Sequence, residues 1–128
     1  MPSPARVQLV TPSGGSFKIE NGVLVPRAPG DAPPRAGDVV QIKTIVTHEM
    51  EPGYRKKPDG AVLPRNIVHT FTATLGGKEV FAAEFGPGVS ANPYLAFYVK
   101  LTGAGDLELR WRGDNGFEAV ERIGLPAA

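Results

Sequence analysis

Asp106-Leu107-Glu108-Leu109-Arg110-Trp111-Arg112 alternates without a break. Leu107, Leu109 and Trp111 point one way, and Glu108, Arg110 and Arg112 the other. A period of two belongs to a strand with one buried and one wet face. Downstream, Asp114-Asn115-Gly116 is turn chemistry and returns the chain into a strand over residues 117–123. Upstream, Gly103-Ala104-Gly105 turns it out of residues 94–101, where Leu95, Phe97, Val99 and Leu101 share a face. Residues 67–75 alternate again, with Ile67, His69, Phe71, Ala73 and Leu75 on one side. Gly76-Gly77 then makes a hairpin with residues 78–85. Residues 39–46 are rich in β-branched side chains. No window carries helical periodicity. Short strands with turn signals between them predict an all-β, antiparallel β-sandwich. Trp111, Phe71, Phe97 and Phe117 are expected to hold the sheets together, because the chain has no cysteine for an inter-sheet disulfide.

Composition narrows the function classes. The 128 residues predict a single domain over residues 1–128. A net charge of +1 argues for neither nucleic acid nor an anionic membrane surface. No apolar run is long enough to span a bilayer. The N-terminal residues lack the apolar core of a secretory signal, which taken alone predicts a cytoplasmic location. The absence of cysteine excludes thiolate nucleophiles, iron–sulfur clusters and cysteine zinc sites. It also excludes a covalent sulfur carrier, which needs a thiolate to make the sulfur–sulfur bond.

Residues 12–35 connect a first short strand, residues 6–10, to the strand that begins near Asp38. Within them Ser16-Phe17-Lys18-Ile19-Glu20, Asn21-Gly22 and Val23-Leu24-Val25 form an N-terminal hairpin with Ile19 opposite Leu24. Residues 29–34 are a proline-rich return. The hairpin either covers a sheet edge or modifies partner contacts.

The segment from His48 to Phe71 joins two β-prone runs and holds three prolines and two glycines. A long irregular connection that also carries Met50, Tyr54 and Leu63 reads as an ordered, exposed binding loop. Its cations, Arg55, Lys56, Lys57 and Arg65, suit an anionic group with several acceptor oxygens. Asn92-Pro93-Tyr94 leads into a strand on which Tyr98 shares the parity of Tyr94, so two tyrosines face away from the core. His48 with Glu49 and Glu51 is the one candidate for metal ligation, short of the usual ligand set. Neither a catalytic triad nor a phosphate loop is present.

Several blocks together resemble the SoxZ family. They are His48-Glu49-Met50-Glu51-Pro52-Gly53, Arg55-Lys56, Asp59-Gly60, Pro64-Arg65-Asn66-Ile67, Glu79-Val80-Phe81, residues 89–99, and Trp111 with Asp114-Asn115-Gly116. The resemblance covers residues 36–125, and the first third departs from it: against the family's pattern, residues 12–35 read as an insertion. It implies an immunoglobulin-like antiparallel β-sandwich. It implies a non-catalytic subunit without metal or cofactor, which binds a SoxY-like protein as a heterodimer. Such a subunit helps present the partner's cysteine-bound sulfur intermediates to thiosulfate-oxidising enzymes, which it meets transiently. Met50, Tyr54, Arg55, Arg65, Asn92, Pro93, Tyr94 and Tyr98 are the expected partner contacts. Location is then periplasmic, by export with the partner, and the tyrosine face could close a homodimer when the partner is absent. Two alternatives stand beside it: a superoxide reductase-like metal-binding redox protein using His48, or an interaction module for an unrelated partner.

Overall fold

The computed structural model describes residues 4–28, 30–102 and 105–125. The expected turn at Gly103-Ala104 and the start of the proline-rich return at Pro29 lie outside them. Strands β1 (Ala5–Val10), β2 (Ser16–Glu20), β3 (Val23–Pro26), β4 (Val39–Val46) and β7 (Tyr94–Lys100) form one sheet. Strands β5 (Val68–Leu75), β6 (Lys78–Glu84), β8 (Gly105–Gly113) and β9 (Glu118–Leu125) form the other. The orders are β3-β2-β1-β4-β7 and β6-β5-β8-β9, and every pairing is antiparallel. The expected all-β sandwich is thus the fold, and each strand lies where alternation, β-branched runs and hairpin signals placed it, with ends shifted by a residue or two.

The core between the sheets comes from the buried parity of each strand. Leu9, Val40, Ile42 and Phe97 face Phe71, Ala73, Leu107, Leu109, Trp111 and Ile123. The Phe71 ring lies 5.0 Å from Trp111 and 5.5 Å from Phe97. Phe81 of β6 stacks on Phe97 at 4.5 Å. Phe117, expected in this cluster, instead sits at one end of the sandwich, edge-on to His48 at 4.8 Å. Phe81 takes the place assigned to it.

The alternation expected over residues 67–75 breaks at its start. Ile67 and Val68 are both buried, and His69 is only half so. The register with β8 slips between Val68 and Thr70. The extra residue is a β-bulge, which turns two consecutive side chains inward and leaves a backbone group off the ladder. Gly113 lies opposite. A Cβ there would fall 2.5 Å from the Ile67 carbonyl oxygen, so the bulge needs glycine at that rung.

The hairpin inside the 12–35 insertion is part of the larger sheet. Phe17 pairs with Leu9 and is buried beside it. At the hairpin turn, Asn21 and Gly22 both take positive φ, as a two-residue turn requires. The Gly22 carbonyl then accepts the Gly124 N–H of β9 at 3.0 Å, tying the edges of the two sheets together. These contacts favour the edge-covering role. Phe17→Ala should therefore cost about 3 kcal/mol in chemical denaturation, the price of a cavity in the core. A loss below about 0.5 kcal/mol, the level of an ordinary surface change, would mean the hairpin is an ornament.

Candidate functional site

The connection from β4 to β5 is more regular than its sequence suggested. It leaves the sandwich as a narrow antiparallel hairpin with bridges Glu51↔Asn66 and Lys56↔Val62. Glu51 and Asn66 exchange both backbone hydrogen bonds at 2.8 Å. The tip turns at Asp59-Gly60, where the Asp59 carboxylate accepts the Ala61 N–H at 2.9 Å. Gly53 lets the two arms cross: a Cβ there would stand 3.0 Å from the Arg65 Cβ.

At the root, Met50 has a positive φ of 53°, a conformation that costs a side-chain-bearing residue about 1 kcal/mol. Three contacts hold it. Its N–H donates to His48 Nδ1 at 3.0 Å, its side chain is only 4% exposed, and its sulfur accepts the Val68 N–H at 3.2 Å. That N–H belongs to the bulge, so the thioether serves a donor the ladder has lost. Met50 is thus a core residue with no surface to offer a partner. His48 also bonds reciprocally with Asn92, donating to its Oδ1 at 3.0 Å and accepting its N–H at 2.8 Å. The structure therefore joins the start of the hairpin to the start of β7. Asn92 takes a positive φ there, and buried Pro93 accepts the Val46 N–H through its carbonyl.

The two arginines of the hairpin are already engaged. Arg55 donates from Nε to Glu51 Oε1 at 2.9 Å, and its Nη2 reaches the same oxygen. Arg65 grips Asp114 through two bonds of 2.8 and 2.9 Å. Asp114 also accepts the Ile67 N–H at 3.1 Å, which pins the returning arm to the β8–β9 turn. Arg65 and, more weakly, that N–H hold the Asp114 carboxyl below its usual range against the opposing effect of burial. Arg55 does the same for Glu51, again against burial, with help from the Gly53 N–H. Lys56 and Lys57 form no ion pair among the described residues. The cations left for an external anion on this hairpin are these lysines. Tyr54 is 75% exposed beside them.

The tyrosines form a second surface. Tyr94 and Tyr98 project from β7, the edge of the larger sheet, and are 61% and 67% exposed. Ile45 pairs with Tyr94, and Val39 stands on the same outward face. Sequence reasoning missed these two, although their parity opposite buried Val40, Ile42, Thr44 and Val46 marks them as outward. Thr44, buried among them, is satisfied by donating to the Leu95 carbonyl at 2.8 Å.

His48 makes a poor metal ligand. Its Nδ1 accepts a backbone N–H, so Nε2 carries the proton. Among the described residues no group of three or more His, Cys, Asp or Glu side chains converges.

Both lowered carboxylates stabilise the hairpin above their unfolded pKa values, about 4, and lose that effect as pH falls through the lower folded values. Amide exchange should show it. The Ile67 and Asn66 N–H groups should be protected at pH 7 and lose protection below about pH 4, relative to the core amide of Leu109. Asp114→Asn should lower Ile67 protection at pH 7 by roughly tenfold and flatten its pH dependence. Wild-type protection that stays level down to pH 3 would refute the anchoring role.

A family model described as "Sulphur oxidation protein SoxZ" matches residues 29–123. No curated relative matches. Among solved structures, two variants of the superoxide reductase (neelaredoxin) from Ignicoccus hospitalis are similar. One is 20% identical, with a TM-score of 0.48, covering 74% of this chain and 76% of that one. The other is 14% identical, with a TM-score of 0.49, covering 94% and 82%. The family match spans strands β4 to β8 and most of β9, together with the anchored hairpin and the tyrosine-bearing edge, and the chain belongs to the SoxZ family of sulfur-oxidation proteins.

Proposed function

We propose that this chain is a non-catalytic binding subunit that holds a SoxY-like protein and helps present its cysteine-bound sulfur intermediates to thiosulfate-oxidising enzymes. The observation that carries the reading is the pair Tyr94 and Tyr98, more than half exposed on one edge strand of a sheet. Tyrosine offers a large rigid contact area with a polar end, and such residues dominate interface energetics. The missing cysteine supports it from another side: in a sulfur-oxidation family, a chain without a thiolate leaves the covalent step to a partner. The hairpin between Glu51 and Asn66, stiffened at its root, would meet the sulfur-loaded arm or the docking enzymes through Tyr54, Lys56 and Lys57. Arg55 and Arg65 would shape it through their ion pairs. Asn92 and Pro93 would set the path of β7 beneath the interface. In this reading the complex works in the periplasm, and the partner carries the export signal.

Co-expression with a SoxY-like protein should give a one-to-one complex on size-exclusion chromatography. Tyr94→Ala and Tyr98→Ala should each weaken it by ~2 kcal/mol, about 30-fold in Kd. Failure of the wild-type chains to associate at low salt would remove the reading.

A further inference from the structure

The outward face of the larger sheet carries more than tyrosines. Lys18, Gln8, Lys43 and Ala96 are successive cross-strand neighbours on β2, β1, β4 and β7. Arg6, Ile45 and Tyr94 form the next row. A shallow concavity of about 610 Å3 lies over these strands, lined among others by Arg6, Lys18, Glu20, Arg27, Lys43 and Tyr94. Glu20 is the sole acid in that lining, and it pairs with Lys18 at 2.9 Å. Among the described residues, Arg6, Arg27 and Lys43 form no ion pair.

The outward face of the other sheet is built differently. There Arg110 bonds Glu108 at 2.8 Å and Glu118 at 3.0 Å, and Arg122 bonds Glu108 at 2.9 Å. Charge is neutralised within that face and left over on the first. In a chain whose net charge is only +1, the surplus is a local positive field, not a general one. The cations of the concavity stand on different strands, Arg6 on β1, Lys18 on β2 and Lys43 on β4, with Arg27 just past β3, so they line an extended surface rather than one point. Tyr94 lines it, so the concavity is continuous with the tyrosine-bearing edge.

We propose that this concavity accepts an extended acidic segment of the protein that covers Tyr94 and Tyr98. The inference rests on the binding-subunit reading and names the charge of the surface that fits it. Arg6, Lys18 and Arg27 precede the family-matched residues 29–123, and Lys43 and Tyr94 lie within them, so the site joins the N-terminal strands to the matched part of the sheet. Carboxylates laid across β1 and its neighbours would meet the uncommitted cations Arg6 on β1, Lys43 on β4 and Arg27 just past β3, speeding encounter and fixing register.

The test is a charge reversal, Arg27→Glu with Lys43→Glu, against a control reversal on the other sheet, Arg112→Glu. Near-ultraviolet circular dichroism of Trp111 reports folding. With a co-expressed SoxY-like subunit, the double variant should weaken the complex at least tenfold and flatten its salt dependence, and the control should do neither. Equal binding by wild type and double variant would overturn the inference while leaving the binding-subunit reading intact. If wild type forms no complex, that reading fails and a short polyglutamate peptide decides the inference. Saturable shifts of the Arg6, Lys43 and Tyr94 amides that vanish in the double variant would support it. No such shifts, or their complete displacement by equimolar sulfate, would overturn it.

Discussion

Phe71 is the point on which the two sheets turn. Its ring is fully buried, and it touches Trp111 on its own sheet and Phe97 on the other. A sandwich of this size without a disulfide has only such contacts to set the spacing between its layers. Phe81 and Phe97 extend the cluster toward the β6–β7 side, and Phe17 fills it from the added hairpin. Every strand therefore has one parity committed to the core. The other parity is free to carry function, and the two sheets use that freedom differently.

The hairpin root shows how a loop rich in proline and glycine becomes a fixed projection. Three backbone donors that would otherwise lack partners find side-chain acceptors there: the bulged Val68 N–H on the Met50 sulfur, the Met50 N–H on His48 Nδ1 and the His48 N–H on Asn92 Oδ1. The left-handed turn at Met50 is affordable because these bonds and the burial of its side chain over-determine it. Asp114 adds a tether from a distant turn. A projection fixed at both arms loses little conformational freedom when something docks on it, which favours a presenting role over a flexible one.

Alternation made the strands legible, since each buries one face and the period of two survives in the sequence. The β5 bulge was not legible, because a period carries no mark of where one extra residue enters. The exchange of Phe117 for Phe81 has a related origin. Which aromatic reaches the middle of the sandwich depends on strand register, and β6 shifts register beside Ala73 and Thr74. Met50, Tyr54 and Leu63 marked the loop as ordered, but nothing local told an apolar side chain at the root from one at the tip. The Glu51–Arg55 pair lies within one short segment, where its spacing hints at contact. The Arg65–Asp114 pair spans 49 residues and exists only once β5 and β8 are side by side.

The basic concavity was invisible for the same reason. Arg6, Lys18, Arg27 and Lys43 each look like an ordinary wet-face residue of its own segment, and only the register of β1, β2 and β4 assembles them. Its position matters physically. Uncommitted cations beside an exposed apolar edge combine two kinds of attraction that act at different ranges. The field acts over about 8 Å at physiological ionic strength and orients an approaching acidic surface. The tyrosines would act only on contact and set how long it stays. In the proposed reading a chain with no thiolate contributes to sulfur chemistry through placement: it would hold a reactive group of another molecule at one edge and keep a rigid hairpin in reach beside it.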